Sequence, residues 1–331
     1  MSYLAFAILP SRDVRAGSYD RGGLRSSRHS TITGILGAVS WVKGEKPRAW
    51  VGPKLEEGGW EPLDAPTIAQ LIEYLSAQQM NGCTIVSWDG MQEAFAILSK
   101  FCEPPMIRAV CEGVALQHVD MAFQMFCSRG FVAPLRKVLE SSGIEDKTHG
   151  RATAFAKSAW DKGEVEQRKL LGVAREIAYT IGRLYGVVAT KKDLTWFTKS
   201  GADAYWQPEM VYDATAKCER LLLVCEALEL PAPDTSWMTI PFKKDRGDYL
   251  VWLQRETPEA SETSSTVARV DELPPGSEED AELSEVPNDQ VVLDLADPIA
   301  RFAARNYALL IRNTQEALAK ELLARIRRFE P

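Results

Sequence analysis

An aspartate that closes a short apolar run is the residue of this sequence best placed to do chemistry. Asp120 ends the stretch 115–120, and the helix-like segment 122–127 follows it directly. A carboxylate between a buried strand and the start of a helix is a common place to hold a metal or a phosphate. The same position also suits an acid that accepts hydrogen bonds from the amides of the next helix. Both interpretations of Asp120 stay open at this point. His118, two residues earlier on the same strand face, is more typical of a core histidine than of a base.

A second group of residues suits contact with a polyanion. Several arginines follow the first predicted strand, with glycines between them, and we interpret this stretch as a basic loop. Clustered arginines in a flexible segment are suited to the phosphate backbone of a nucleic acid, although a solvated loop is the alternative. The candidate nucleic-acid-binding residues are Arg12, Arg15, Arg21, Arg25 and Arg28.

The elements that would position these residues alternate along the chain. Strands are predicted at 3–9, at 34–42, in a hairpin that ends near Trp50, at 83–88 and at 114–119. Asp64 is predicted to cap a helix with an apolar stripe, and another helix follows the strand at 83–88. Further helices are predicted at 135–142, 151–160 and 165–188. Strands first, a crossover helix and later helices indicate an α/β domain with a mixed sheet.

The last part of the chain has a different composition. Residues 255–296 are rich in Glu, Ser, Pro and Thr, and such a segment buries too little apolar area to offset its ordering entropy. We therefore expect a disordered acidic linker there. Asp297 and Pro298 then form a good helix start, and residues 297–331 are predicted to be one amphipathic helix that docks on this chain or on a protein partner.

Composition excludes several classes of protein. The chain has 331 residues, 45% of them hydrophobic and 26% charged, which is ordinary for a globular protein. No apolar run approaches the roughly 18 residues of a membrane span. Six cysteines without a CxxC pair and only three histidines argue against a zinc site and favour a reducing, cytoplasmic setting. Most of the nine tryptophans are expected to be core or interface anchors rather than platforms for bases.

The order of several short motifs resembles that of the RNase H-like (DnaQ-like) 3′–5′ exonucleases, and most closely the predicted exonucleases related to the proofreading domain of family B DNA polymerases. The resemblance covers residues 3–190, and it implies an RNase H-like mixed sheet flanked by helices. Residues 191–254 would then be a helical extension packed on this core. The motifs are Trp88-Asp-Gly90, His118-Val-Asp-Met121, Pro134-Leu135, Gly143-Ile144, Lys147-Thr-His-Gly150, Trp160-Asp-Lys-Gly163 and a closing helix with Glu176-x-x-x-Thr180.

The resemblance implies two-metal chemistry, in which four carboxylates hold two Mg²⁺ or Mn²⁺ ions that activate water and stabilise the leaving oxygen. This sequence departs from that pattern. Ala7 and Leu9 stand where the first strand of the family carries its two acids, and Ala94 stands at the second motif. The retained positions are Asp120 and, at the fourth motif, Glu176; Asp89 and Glu93 are possible substitutes near the second.

The function that follows is an exonuclease-like protein that binds single-stranded DNA or RNA with a degenerate catalytic site. One alternative is an active two-metal 3′–5′ exonuclease that uses Asp120 and Glu176. Another is a protein-interaction scaffold without a role in nucleic-acid binding.

Overall fold

The structure is a computed structural model, and it describes residues 2–13, 31–146, 156–198, 201–213, 217–236 and 245–253. By its internal contacts the chain divides into a unit Met1–Leu250 and a unit Val251–Pro331. The predicted linker 255–296 and the predicted helix 297–331 lie outside the described residues. No helix within the described ranges combines the length and the apolar character needed to span a bilayer.

The first half of the first unit contains a mixed sheet and its flanking helices. The elements are β1 (Tyr3–Asp13), β2 (Thr31–Val42), β3 (Arg48–Val51), α1 (Ala65–Met80), β4 (Thr84–Ser87), α2 (Ala94–Phe101), α3 (Pro105–Leu116), β5 (Val119–Asp120) and α4 (Met121–Arg129). The described strands of the sheet pair in the order β3-β2-β1-β4-β5. β1 is antiparallel to β2 and parallel to β4, and β5 is parallel to β4. The prediction of an α/β domain with a mixed sheet is confirmed.

The second half adds helices and two small hairpins. The elements are α5 (Leu135–Ser141), α6 (Ala156–Trp160), α7 (Glu164–Lys191), β6 (Leu194–Phe197), β7 (Asp203–Trp206), β8 (Met210–Asp213), β9 (Cys218–Leu221), α8 (Val224–Leu228) and α9 (Arg246–Leu250). β6 pairs with β7 and β8 pairs with β9, both antiparallel. The sequence did not predict these hairpins, since four-residue strands carry too few alternating positions for a clear period.

The long helix α7 packs across β1 and β2, while α1 and α2 pack on other parts of the same sheet. Its buried residues recur at helical spacing and include Ala174, Ala178, Ile181 and Leu184. The predicted cap at Asp64 is confirmed, because its carboxylate accepts the N–H of Thr67 at 3.0 Å. These contacts place α7 over one face of the sheet.

The predicted strand at 114–119 is wrong for most of its length. Residues 105–116 form α3, and only Val119 and Asp120 pair with β4. Pro105 begins the helix, where proline is favoured because no backbone N–H is needed there. The buried residues of α3 follow the helical period rather than the strand period. They are Ile107, Val110, Cys111, Val114 and Ala115.

Candidate functional site

The candidate site lies where the parallel strands β4 and β5 end. Ser87 and Asp120 are the last residues of these strands, and they are partners in the register. The turn 88–93 leads from β4 into α2, and α4 begins immediately after Asp120. The carboxyl edge of parallel strands is the usual location of a binding crevice in α/β sheets. This edge therefore brings together the sequence-predicted residues Asp89, Glu93 and Asp120.

The Asp120 carboxylate accepts hydrogen bonds from four backbone amides. Its Oδ1 accepts the N–H of Asp89 at 2.8 Å and the amides of Ala122 and Phe123 at 3.1 and 3.2 Å. Its Oδ2 accepts the N–H of Met91 at 2.9 Å. The residue is only 1% exposed. Asp120 thus caps α4 and at the same time fixes the turn that follows β4, which is a structural task that occupies both oxygens.

Beside Asp120, a histidine and a serine bridge the two strands. His118 Nε2 lies 2.8 Å from Ser87 Oγ, and His118 Nδ1 lies 2.5 Å from the carbonyl oxygen of Ala115. Both side chains are buried. A side chain at Gly90 would overlap Ser87 Oγ, so the turn approaches this pair as closely as a residue without Cβ allows. Burial lowers the pKa of His118, against the opposing effect of Asp120. The pair is part of the core.

A short helix that the sequence did not indicate covers this edge. Tyr249 of α9 is 3% exposed, and its ring packs against Phe123 and Phe126 of α4 at centroid distances of 5.2 and 4.7 Å. Burial raises the pKa of Tyr249, and the charges of Asp89 and Asp120 add to this effect. Tyr249 is 129 residues from Asp120 in sequence number, and the helix that carries it has only five residues. Apolar periodicity gives no signal for so short an element.

An arginine attaches this covering helix to the core. Arg246 donates hydrogen bonds to the carbonyl oxygens of Leu228, Cys127 and Pro231 at 2.7, 3.1 and 2.9 Å. The guanidinium group has several donors in a fixed plane, so one side chain can satisfy three carbonyls on two segments, α4 and the end of α8. The site edge is therefore closed on this side by Arg246 and Tyr249 together.

Asp120 and Glu176 lie on opposite faces of the sheet. Val86 and Val119, paired in the register, belong to the same buried cluster as Ile181 and Leu184 of α7. Side chains alternate along a strand, so the next residues, Ser87 and Asp120, point to the other face. α7, which carries Glu176, packs over the first face. The structure does not bring the two candidate carboxylates together.

Glu176 has a surface environment of its own. Its side chain is 28% exposed and forms an ion pair with Arg175 at 3.5 Å. The first-strand positions Ala7 and Leu9 are buried in one apolar cluster with Ala174 and Ala178 of α7. These two positions on β1 are thus occupied by side chains that pack against α7.

Glu93 and Arg12 meet at the same edge of the sheet as Asp120. Their charged groups are 4.0 Å apart, with the Arg12 side chain 14% exposed and the Glu93 side chain 68% exposed. Asp89, in the turn before α2, has a positive φ of 60°, which is uncommon for a residue with a side chain. The other candidate arginines, Arg15, Arg21, Arg25 and Arg28, lie outside the described residues.

The donor set does not fit a pair of divalent cations. Within the described ranges, no group of three or more His, Cys, Asp or Glu side chains is arranged to hold a metal. Asp120 already accepts four amide hydrogen bonds, and Glu176 lies across the sheet from it. Mg²⁺ and Mn²⁺ require several oxygen ligands converging on one point, which these residues do not supply. In comparisons with known proteins, no family model, curated protein or solved structure matches this chain.

Proposed function

We propose that this chain is a nucleic-acid-binding protein of the RNase H-like 3′–5′ exonuclease type whose catalytic site has degenerated. The observation that carries the proposal is the state of Asp120. This residue stands at the motif position that the resemblance assigns to a metal ligand, yet its two oxygens accept four backbone amides in the interior. Those hydrogen bonds offset the desolvation cost of the carboxylate, and Oδ1, which accepts three of them, has no site left for a cation.

The architecture supports the fold part of the proposal. A mixed five-stranded sheet flanked by helices is compatible with an RNase H-like domain. At the first-strand positions of the family's acids, Ala7 and Leu9 are 6% and 0% exposed. Carboxylates there would be buried against Ala174 and Ala178 without compensating partners among these apolar side chains. Having Ala7 and Leu9 in place of the acids therefore removes two metal ligands and at the same time allows α7 to pack tightly on β1.

The position of the basic segment supports the nucleic-acid part. The pairing of β1 with β4 ends at Ala5 and Val86, whereas β1 itself continues to Asp13. β2 accompanies it, with Asp13 paired to Thr31. The two ends of the arginine-containing segment 14–30 are thus held side by side, beyond the edge where Asp120 lies. A basic segment attached at the carboxyl edge of the parallel strands is well placed to contact a phosphate backbone there.

The test uses the full chain and labelled single-stranded DNA and RNA oligonucleotides, with Mg²⁺ or Mn²⁺ present. We expect a mobility shift without shortening of the oligonucleotide. Metal-dependent shortening that Glu176→Gln abolishes would contradict degeneracy and establish the active exonuclease. Glu176→Gln suits this purpose because the side chain is partly exposed and glutamine has nearly the same shape as glutamate, so the variant should fold. Absence of both a shift and cleavage would favour the protein-interaction scaffold.

The basic segment has its own test. Replacing Arg15, Arg21, Arg25 and Arg28 together with glutamine should weaken binding and flatten its dependence on salt concentration. Each lost phosphate contact should reduce the slope of log K against log salt by about 0.7 for a single strand. Arg136→Gln is the matched control, because the Arg136 side chain is 81% exposed and lies on α5. An unchanged affinity and salt slope in the fourfold variant would exclude these arginines as the contact.

A further inference from the structure

The β6–β7 hairpin has one face in the core and one face exposed to solvent. Along β6 the exposure alternates, with Leu194 and Trp196 buried and Thr195 and Phe197 exposed. On β7, Trp206 is 1% exposed, whereas Tyr205 is 61% exposed. Such alternation is typical of a two-stranded ribbon packed on a domain through one face. The outer face, however, carries large aromatic side chains where polar ones are usual.

The inner face fixes the hairpin rigidly to the domain. Trp206 Nε1 donates a hydrogen bond to Ser128 Oγ at 2.9 Å. The Trp196 ring packs edge-on against Phe131, with 5.9 Å between the ring centroids. Both tryptophans belong to the same buried cluster as the residues under α7. The outer aromatic side chains therefore extend from a ribbon whose position is set by the core.

The outer face presents two aromatic rings in a diagonal arrangement. Thr195 pairs with Tyr205, and Phe197 pairs with Asp203, so all four side chains lie on one face. Phe197 and Tyr205 are diagonal neighbours, which are about 7–8 Å apart in an antiparallel pair. Phe197 is 53% exposed. Two exposed rings at this spacing can each stack a base of one strand.

A cation adjoins this pair of rings. Arg129, exposed at the end of α4, donates a hydrogen bond to the carbonyl oxygen of Tyr205 at 3.1 Å. Its guanidinium carbon lies 5.8 Å from the centroid of the Tyr205 ring. The hydrogen bond and the ring hold the guanidinium beside the aromatic face, while its remaining donors are available to a phosphate oxygen. A ring for the base and a cation for the phosphate are the two elements of a single-strand site.

From this geometry we infer that the outer face of the β6–β7 hairpin binds single-stranded nucleic acid, with bases on Phe197 and Tyr205 and a phosphate at Arg129. The inference rests on the proposed function and extends it, because it adds a contact surface on the hairpin to the one proposed for the basic segment. The size of the face favours a narrow ligand. Four exposed side chains on two short strands offer far less than the roughly 800 Å² per partner of a stable protein dimer.

Asp203 gives this surface a chemical preference. Its carboxylate is on the same face as the rings and can accept hydrogen bonds, but it repels phosphate. The phosphate should therefore bind at Arg129, away from Asp203. The base next to Asp203 should be preferred when it carries an exocyclic amino group, which can donate a hydrogen bond to the carboxylate. Cytosine, adenine and guanine have such a group, whereas thymine lacks it. The surface should bind oligodeoxycytidine more tightly than oligodeoxythymidine.

The experiment measures fluorescence anisotropy of labelled oligodeoxycytidine and oligodeoxythymidine of about twelve nucleotides with the full chain. Removing both rings in the double variant Phe197→Ala/Tyr205→Ala should weaken binding of oligodeoxycytidine by at least about tenfold. Asp203→Asn should reduce the difference between the two oligonucleotides. Val165→Ala is the control, since Val165 is an exposed apolar residue at the start of α7, 68% exposed.

The outcomes separate this inference from the proposed function. If the wild-type chain binds oligonucleotides and the double variant binds them equally well, the hairpin surface is excluded and the proposed function stands. If the wild-type chain binds no nucleic acid, both fall. If sedimentation shows a dimer that only the double variant loses, with unchanged affinity for oligonucleotides, the face belongs to a second copy of the chain and the inference is overturned.

Discussion

Nε2 of His118 lies 2.8 Å from Oγ of Ser87, and this contact joins the ends of two neighbouring parallel strands. The tautomer follows from the other ring nitrogen. Nδ1 faces the carbonyl oxygen of Ala115, which can only accept, so Nδ1 carries the hydrogen and Nε2 accepts the hydroxyl of Ser87. A base and a hydroxyl in this orientation resemble a catalytic pair, but they are 0% and 3% exposed. Their role is to satisfy each other's hydrogen-bonding groups inside the sheet.

Burial of His118 makes the stability of the protein depend on pH. The pKa of His118 in the folded state is lowered from 6.5, so the unfolded chain takes up the proton at a higher pH than the folded chain. The free energy of unfolding should be constant with respect to this group above about pH 6.5 and should fall as the pH drops below it. The slope from one such group is at most about 1.4 kcal/mol per pH unit. Urea unfolding between about pH 8 and pH 5 measures it.

The control for this prediction separates His118 from other titrating groups. His118→Gln should reduce the loss of stability on acidification, even if the variant is less stable throughout. The prediction fails if His118→Gln shows the same pH dependence as the wild type, because the acid-induced loss would then come from other groups.

Removing the Asp120 carboxylate should destabilise the fold rather than abolish metal binding. Asp120→Ala leaves four backbone amides without their acceptor, two of them at the start of α4. Loss of a helix cap and of buried acceptors together should lower the free energy of unfolding by about 3 kcal/mol or more. Asp120→Asn keeps one oxygen and should lose less. Urea unfolding with and without Mg²⁺ tests both points.

A stabilisation of the wild-type chain by Mg²⁺ that Asp120→Asn removes would contradict this view of Asp120. It would show that the carboxylate binds a cation in the folded state, since a ligand that binds only the folded state raises its stability. Equal unfolding curves with and without the cation are the expected result.

Whether the sequence could predict a feature depends on how far apart in the chain the interacting residues lie. The cap at Asp64 was predicted because it bonds to a residue three positions away. Trp160, Trp196 and Trp206 are buried, as expected for core anchors. The sequence left two roles open for Asp120, since half of its hydrogen bonds come from the amides of Asp89 and Met91, about thirty residues earlier. Which role it has depends on tertiary structure that no local pattern contains.

The elements that the sequence missed have a common physical reason. α9 and the strands β6 to β9 are four or five residues long, and their positions depend on long-range contacts. Arg246 reaches the carbonyl of Cys127, and Trp206 reaches Ser128. Such short elements have little intrinsic stability, so tertiary packing determines whether they form. For this reason, apolar periodicity could not predict that α9 covers the candidate site.

Two glycines of α7 should respond in opposite ways to substitution by alanine. A Cβ at Gly182 would lie 2.5 Å from Cζ3 of Trp41 and 3.2 Å from Cε2 of Tyr3, so the helix approaches the sheet closely there. Gly182→Ala should lower the free energy of unfolding by about 1–3 kcal/mol through overpacking. At Gly172 the same atom would meet nothing within 4 Å. Gly172→Ala should raise stability by about 0.5–1 kcal/mol, the helix-propensity gain.

Both values come from urea unfolding of the two single variants. Because the substitutions are identical and lie in one helix, the difference between their effects reports the contacts with Trp41 and Tyr3. Equal effects at the two positions would mean that α7 does not approach the sheet at Gly182.

Alkylation of Cys127 reports on the cover over the candidate site. Cys127 is 0% exposed, and burial raises the pKa of its thiol to about 11. Near pH 8 its reaction with iodoacetamide should therefore be much slower than that of the partly exposed Cys218.

Replacing Arg246 by alanine should change the labelling rate of Cys127 in two opposed ways. Arg246 donates a hydrogen bond to the Cys127 carbonyl oxygen, and its charge lowers the pKa of the Cys127 thiol. Loss of the cation alone would slow the reaction, whereas release of α9 would expose the thiol. We expect faster labelling by mass spectrometry, because access outweighs the change in pKa; slower labelling would show that Tyr249 holds α9 without Arg246.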